Sequence, residues 1–289
     1  MKRFFDLCAL SLLVVGANAH ASTAQDESFE DLSGYTHLEC EIRPFIRRSD
    51  SRGYTGNPEN FTHPHLPIRE GTSTNWSGYV AATNLNYPAK NSVSAVYGTW
   101  IVPTVSPSAH DTYSSLWVGI DGYTSSTVEQ IGTEHDWANG RQEDYAWFEM
   151  YPAYPYEIVG FTLKPGDVIN ASVVYKGNNV FLLTLVNKTR KVYSIIPTSY
   201  TTLSFSAQRS SAEWIVEAPF LNGTLPLAHL SLVKFSSCTA VINGFPGSIN
   251  NGRWVDDALI METENHIPKA TPSALTSGGQ AFTVAWHHE

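Results

Sequence analysis

The chain of 289 residues is short of charge: Asp, Glu, Lys and Arg together make 16% of it, against about 25% in an average soluble protein. What charge there is leans acidic, with 27 Asp and Glu against 18 Lys and Arg. A chain of that sign has no electrostatic footprint for nucleic acid or an anionic membrane surface, and neither is expected as a partner. Cysteines number three, and none forms a Cys-x-x-Cys pair. His-Glu-x-x-His is also missing, so a zinc hydrolase lacks its usual ligand spacing, and no metal or other cofactor is expected. The ten histidines are scattered, and His287-His288 stands at the C-terminal end, where fraying is expected before ligation. No Gly-x-Ser-x-Gly occurs, which excludes a nucleophile-elbow serine hydrolase. No cysteine has the surroundings of a known cysteine-protease motif, and no Gly-rich loop of phosphate-binding type is present. Catalysis by carboxylates and amides is the chemistry left open.

Long apolar runs are missing too. The longest, Phe4 to Val15, is interrupted by Asp6 and Ser11 and is shorter than the ~20 residues of a spanning helix. It follows Lys2 and Arg3 and ends in Gly16-Ala17-Asn18-Ala19-His20-Ala21, which offers small-x-small cleavage after Ala19 or Ala21. That is the pattern of an export signal over residues 1–21. The mature protein is expected to be secreted, soluble and monomeric. Cleavage removes Lys2, Arg3 and Asp6, leaving 16 basic and 26 acidic residues and a net charge of −10. Cys40 and Cys238 remain; outside the cytoplasm such a pair can oxidise, but sequence does not say whether the two approach each other.

Residues 22–72 lack period-two patterning and carry frequent Gly and Pro. An acidic patch, Asp26 to Asp31, precedes Arg43, Arg47, Arg48 and Arg52. The segment reads as a leader, a propeptide or an arm on the main domain, or else as a disordered linker. As a removable cover, its arginines would pair with cleft carboxylates such as Glu149 and Glu217. Over 73–289 the chain becomes short alternating runs. Strands are expected at Ser94–Val102, Ser114–Ile120, Tyr145–Tyr151, Val168–Tyr175, Val180–Val186, Lys191–Ile196, Glu213–Glu217 and Leu230–Phe235. Turns are expected at Lys164–Asp167, Lys176–Asn179 and Asn187–Arg190. No stretch shows sustained helical spacing. The pattern predicts an all-β fold, an antiparallel β-sandwich.

Strand parity sorts the polar residues. In Tyr145 to Pro152, Ala146, Phe148 and Met150 form a core set, and Tyr145, Trp147, Glu149 and Tyr151 face the other way. Aromatics flanking one carboxylate suit a groove for an extended ligand, or simply a tyrosine-rich sheet surface. Trp117, Gly119 and Asp121 likewise share a face; taken alone they fit a strand running into an Asp-Gly turn. Gln130 shares a side with Val128. Glu213 and Glu217 both lie opposite Trp214 and Val216, and the simplest reading is a half-buried strand with its acids in water.

Five stretches in order then resemble the glutamic peptidases, the eqolisin family of acid endopeptidases. They are Asn75-Trp76-Ser77-Gly78-Tyr79, Trp117-Val118-Gly119-Ile120-Asp121-Gly122, Gln130-Ile131-Gly132, Tyr145 to Pro152, and Ala212-Glu213-Trp214-Ile215-Val216-Glu217, and the resemblance spans roughly residues 75–262. It implies two packed antiparallel sheets, concanavalin-like, with one sheet curved around the substrate cleft. The family's catalytic glutamine falls on Gln130 and its catalytic glutamate on Glu217, the second acid of its motif. Trp117, Asp121, Trp147 and Glu149 fall on residues that line or support the cleft. The supporting aspartate falls on Asp136, with Glu134 as rival, because the stretch from Gln130 looks one residue longer than in the fungal enzymes. The fungal disulfide cysteines have no counterparts. The implied activity is acid hydrolysis of protein or peptide substrates. A carbohydrate-binding sandwich, or a glycosidase using Glu149 and Glu217 as paired acids, is the alternative.

Overall fold

The computed structural model describes residues 31–44, 71–199, 206–221 and 223–289. The export segment and most of 22–72, including Arg47, Arg48 and Arg52, lie outside the described residues. Among the described residues the chain forms eighteen strands and two single 3-10 turns. In chain order the strands are β1 Thr36–His37, β2 Glu41–Pro44, β3 Thr72–Ser73, β4 Trp76–Ala82, β5 Val93–Ile101 and β6 Ser115–Ile120. Next come β7 Val128–Ala138, β8 Arg141–Tyr151, β9 Tyr156–Val159, β10 Val168–Gly177, β11 Val180–Asn187 and β12 Val192–Ser199. The last are β13 Ser211–Glu217, β14 Val233–Ile242, β15 Phe245–Ser248, β16 Val255–Glu262, β17 Pro268–Pro272 and β18 Phe282–Trp286.

They build a sandwich of two sheets. The front sheet runs β16-β4-β13-β6-β7-β8-β9-β2, antiparallel throughout. The back sheet centres on β12-β11-β10-β5-β14, and β14 carries β15 at one end and β18 at the other. Strand β16 belongs to both: Val255 to Leu259 pair with β4, whereas Met261 and Glu262 pair with β17 of the back sheet. Apolar residues of period-two parity meet between the sheets, with Leu116, Val118, Ile131, Phe148 and Trp214 from the front and Trp100, Ile169, Leu183 and Phe235 from the back. Burial of each such side chain contributes about 1.5–3 kcal/mol, so this layer is what holds the sheets together.

Seven of the eight expected strands match closely, and the hairpins fall where expected. Gly177, Asn178 and Asn179 take positive φ between β10 and β11, a conformation open to Gly and tolerated by Asn. Three expectations are corrected. The strand expected at Leu230–Phe235 starts at Val233 and continues to Ile242, and Leu230 makes only an isolated bridge to Val105. A bulge between Ser236 and Thr239, with Ser237 at φ 52°, interrupts the alternation and hides the second half from a period-two search. The pairing is not purely antiparallel, because the two-residue strands β1 and β3 run parallel to β12 and β16. Finally, Glu213 and Glu217 do not face water: every residue of β13 is buried. A second apolar cluster (Trp76, Val80, Trp117, Tyr123, Tyr145 and Trp147 among it) covers the outer face of the front sheet.

Residues 36–44 run along both sheets at one side of the sandwich. Thr36 N donates to Lys191 O and Leu38 N to Tyr193 O, each at 2.8 Å. Leu38 and Cys40 pack on the core, and β2 then adds to the free edge of β9. Arg43 donates through Nε and Nη2 to Glu157 Oε2 at 3.0 and 2.7 Å. It therefore meets Glu157, not Glu149 or Glu217. Cys40 and Cys238 are both free thiols.

Candidate active site

Pairing register turns the outer face of the front sheet into rows. One row reads Val80, Glu213, Gly119, Gln130, Glu149 from β4 through β13, β6 and β7 to β8. The next reads Gly78, Ile215, Trp117, Gly132, Trp147, Glu157. The third reads Trp76, Glu217, Ser115, Glu134, Tyr145. Asp136 follows two residues further along β7, in the next row of this face, opposite Glu143. Six of the seven residues named from sequence thus lie in or beside three adjacent rows of one face, and Asp121 caps the same face at the end of β6.

Within the rows, two carboxylates are held by N–H donors. Gln130 Nε2 donates to Glu149 Oε2 at 2.7 Å. Trp117 Nε1 donates to Glu217 Oε2 at 2.8 Å, and Asn75 Nδ2 donates to Glu217 Oε1 at 3.2 Å. Hydrogen bonds to ionised groups contribute about 1.5–3 kcal/mol each, enough to fix both side chains. Trp117 also links the two centres. A Cβ on Gly119 would lie 2.8 Å from Trp117 Cζ3 and 3.3 Å from Gln130 Cβ, so the indole's benzo edge lies against the Gln130 side while its N–H reaches Glu217. A Cβ on Gly132 would meet Leu116 O at 2.4 Å and Trp117 Cβ at 2.6 Å. Both glycines are needed for the ring to lie between the rows.

Asp121 is an anchor. Its Oδ1 accepts from Ser210 N at 2.8 Å and Ser210 Oγ at 2.7 Å, and its Oδ2 accepts from Arg209 N at 2.6 Å. Those bonds tie the entry to β13 onto the end of β6, in the left-handed conformation (φ 71°) that Asp tolerates. Asp136 accepts from Tyr145 Oη at 2.9 Å and from Ser114 N at 3.3 Å. Glu134, in the row of Glu217, accepts a hydrogen bond from Ser115 Oγ. Glu213 is wholly buried, and burial pushes its carboxyl well above the usual range; the Ser211 hydroxyl lowers it, and Asp121 and Glu129 push it further up.

Sequence reading missed Asn75 as a site residue, although it begins the first motif. Its contact with Glu217 spans 142 positions, beyond any local pattern. A cavity of about 690 Å³ also opens at this end, lined by Thr72, Ser73, Thr74, Phe220, Thr224 and Lys269. Another cluster has triad-like geometry: Thr133 Oγ1 lies 2.8 Å from His135 Nε2, and His135 Nδ1 lies 2.7 Å from Asp144 Oδ1. Thr133 and His135 are fully buried, and Trp100 Nε1 donates to the Thr133 hydroxyl at 2.9 Å. Sealed between the sheets, this hydroxyl cannot meet a substrate and serves to satisfy buried polar groups.

A two-sheet sandwich carrying Gln130, Glu149 and Glu217 on one sheet face has the architecture of a glutamic-type peptide hydrolase. The model of the Peptidase A4 family matches residues 74–286, and the chain belongs to that family. It is 27% identical to Aspergillopepsin-2 of Aspergillus niger over 262 residues, covering 83% of this chain and 87% of that protein. It is 28% identical to Scytalidopepsin B of Scytalidium lignicola over 198 residues, 62% and 68% of the two. A scytalido-glutamic peptidase solved with a transition-state-analogue inhibitor superposes with a TM-score of 0.62 at 25% identity, over 74% of this chain and 99% of that one.

Proposed function

We propose that this chain is an exported acid endopeptidase in which Glu217 is the general base and Gln130 the oxyanion donor. The observation that carries the reading is the shared face of Gln130 and Glu217, each held by its own partner and bridged by the Trp117 indole. Peptide hydrolysis needs a group to take a proton from water and a donor for the oxyanion that forms on the carbonyl. A carboxylate suits the first task in acid, where a histidine is already protonated. Water attacks the carbonyl carbon as Glu217 takes its proton, forming the new C–O bond. The Gln130 amide holds one N–H toward Glu149 and has a second for the oxyanion. Glu217 returns the proton to the amide nitrogen as the C–N bond breaks.

Glu149 sets the orientation of the Gln130 amide, Trp117 and Trp147 line the groove, and Asp121 holds the loop that leads into β13. Glu134 is the supporting acid in the row of Glu217, with Asp136 holding Tyr145 beyond it. A scytalido-glutamic peptidase solved with a peptide-based transition-state analogue supports a peptide as the substrate. The mature enzyme comprises residues 73–289 and works as a monomer without a metal. Residues 22–72 act as a propeptide. The test is hydrolysis of acid-denatured protein, with a polysaccharide assayed beside it, by the wild type and Glu217→Gln. Cleavage of protein alone, lost in the variant, is the expected result; cleavage of the polysaccharide overturns the reading.

A further inference from the structure

We propose that Asn75 is the positioning residue of the general base, an inference that rests on Glu217 having that role. Asn75 is buried, 4% exposed, and stands immediately before β4, the strand paired to the whole length of β13. Its Nδ2 donates to Glu217 Oε1 at 3.2 Å while Trp117 Nε1 donates to Oε2 at 2.8 Å. Each oxygen of the carboxylate therefore has a donor from a different strand neighbour. Two such bonds fix the carboxylate plane, and with it the direction from which a proton is taken.

The Asn75 side chain is itself fixed. Ser73 Oγ donates to Asn75 Oδ1 at 3.2 Å and accepts from Asn75 N at 3.3 Å and Trp76 N at 3.1 Å. Since Oδ1 receives the hydroxyl hydrogen, Nδ2 is the end turned to Glu217; the flipped amide would set two oxygens against each other. On the other side, Ala218 N donates to Asn75 O at 2.8 Å. The residue after the base is thus tied to the residue that holds the base. Ser73, Asn75 and Glu217 form one chain of contacts leading from the wall of the 690 Å³ cavity to the carboxylate.

A purely structural role would ask less of Asn75. Its backbone bonds and the Ser73 turn would survive in many residues, whereas the Nδ2 bond needs a donor of this length. The other titratable groups on this face are Glu213 on β13 itself, Asp121 at the end of β6, Glu134 and Asp136 on β7, and Glu143, Tyr145 and Glu149 on β8, with Glu157 in the row between. Lys269 and Glu262 line the cavity beyond Ser73.

The experiment compares pH profiles of kcat/KM for wild type, Asn75→Ala, Asn75→Asp and Glu217→Gln on one peptide substrate. A hydrogen bond to the ionised form favours that form, so its loss in Asn75→Ala should move the acid limb toward higher pH and lower kcat about 10–100-fold, with KM little changed. Asn75→Asp keeps the shape and guards against misfolding. Protonated, it can still donate to Glu217; ionised, it repels it, so its activity should be confined to the acid end of the wild-type range. Profiles that keep the wild-type shape in both variants, with a lowered thermal midpoint only, overturn the proposal while Glu217→Gln stays inactive. An active Glu217→Gln overturns the reading beneath it as well.

Discussion

Gln130 and Glu149 are directly paired residues of β7 and β8, and their side chains meet at 2.7 Å, amide nitrogen to carboxylate oxygen. The pairing fixes which end of a symmetric-looking amide faces which way. With Nε2 held by Glu149, its second hydrogen has one direction left to point. An oxyanion donor acts only if it is set before the charge develops.

Gln130→Ala should therefore lose at least about 100-fold in kcat with little change in thermal midpoint, because the row stays packed by Trp117 and Trp147. Glu149→Gln keeps the size of the partner but lets the amide turn, and should lose less. Steady-state kinetics on a peptide, with melting curves beside them, check this. A Glu149 variant more damaged than Gln130→Ala would mean that Glu149 itself meets the substrate.

Glu213 and Glu217 are both buried, but they lie in different rows and have different neighbours. The folded state holds the Glu213 carboxyl well above its usual range through burial, with Asp121 and Glu129 adding to it against the Ser211 hydroxyl. A carboxyl raised on folding stabilises the fold fully below its unfolded value, about 4.3, and that contribution is lost as pH rises to the folded value. The wild type should melt at falling temperature from about pH 4 upward. Glu213→Gln should flatten that limb, raise the midpoint near neutrality and keep much of the activity in acid. Identical slopes in the two proteins would show that other carboxylates set the pH limit.

Much of this fold is written in period two. Tyr145 to Tyr151 and Glu213 to Glu217 alternate without a break, so their core and outer faces were legible. The bulge at Ser237 was not, because one inserted residue reverses parity. The five motifs put Gln130, Trp117 and Glu217 on one face, but which of Glu134 and Asp136 stands in the row of Glu217 depends on pairing with Ser115, which no single strand displays. The burial of Glu213 was illegible for a similar reason. Its register neighbours, Val80 and Gly119, come from strands far away in the chain.

Gly119→Ala offers a test of the Trp117 bridge. The added methyl would sit 2.8 Å from Trp117 Cζ3, closer than two carbons tolerate, and the ring rather than the strand should give way. Turning the indole breaks its bond to Glu217. The expected result is a fall of about tenfold or more in kcat with at most about 1–3 kcal/mol lost from stability. Unchanged kcat together with a lost thermal midpoint would place the ring in packing alone.

The segment 36–44 should behave as an edge strap with a weak hold. It adds β1 to β12 and β2 to β9, and its ion pair among the described residues, Arg43 with Glu157, lies in the row that runs through Trp147 and Trp117. Besides that ion pair the strap is held by backbone bonds and by Leu38 and Cys40 on the core. Arg43 is half-exposed, which keeps the pair in the range of about 0–1 kcal/mol; the strap is therefore a weak latch that proteolysis can exploit, not a clamp. Cys40 and Cys238 are free, so no covalent bond opposes release. Incubated in acid, the protein should acquire a new N-terminus near Thr72 as activity rises, and Arg43→Ala should do so faster at pH 5 than the wild type. A fully active enzyme that still starts near Ser22 would make the strap a permanent part of the fold.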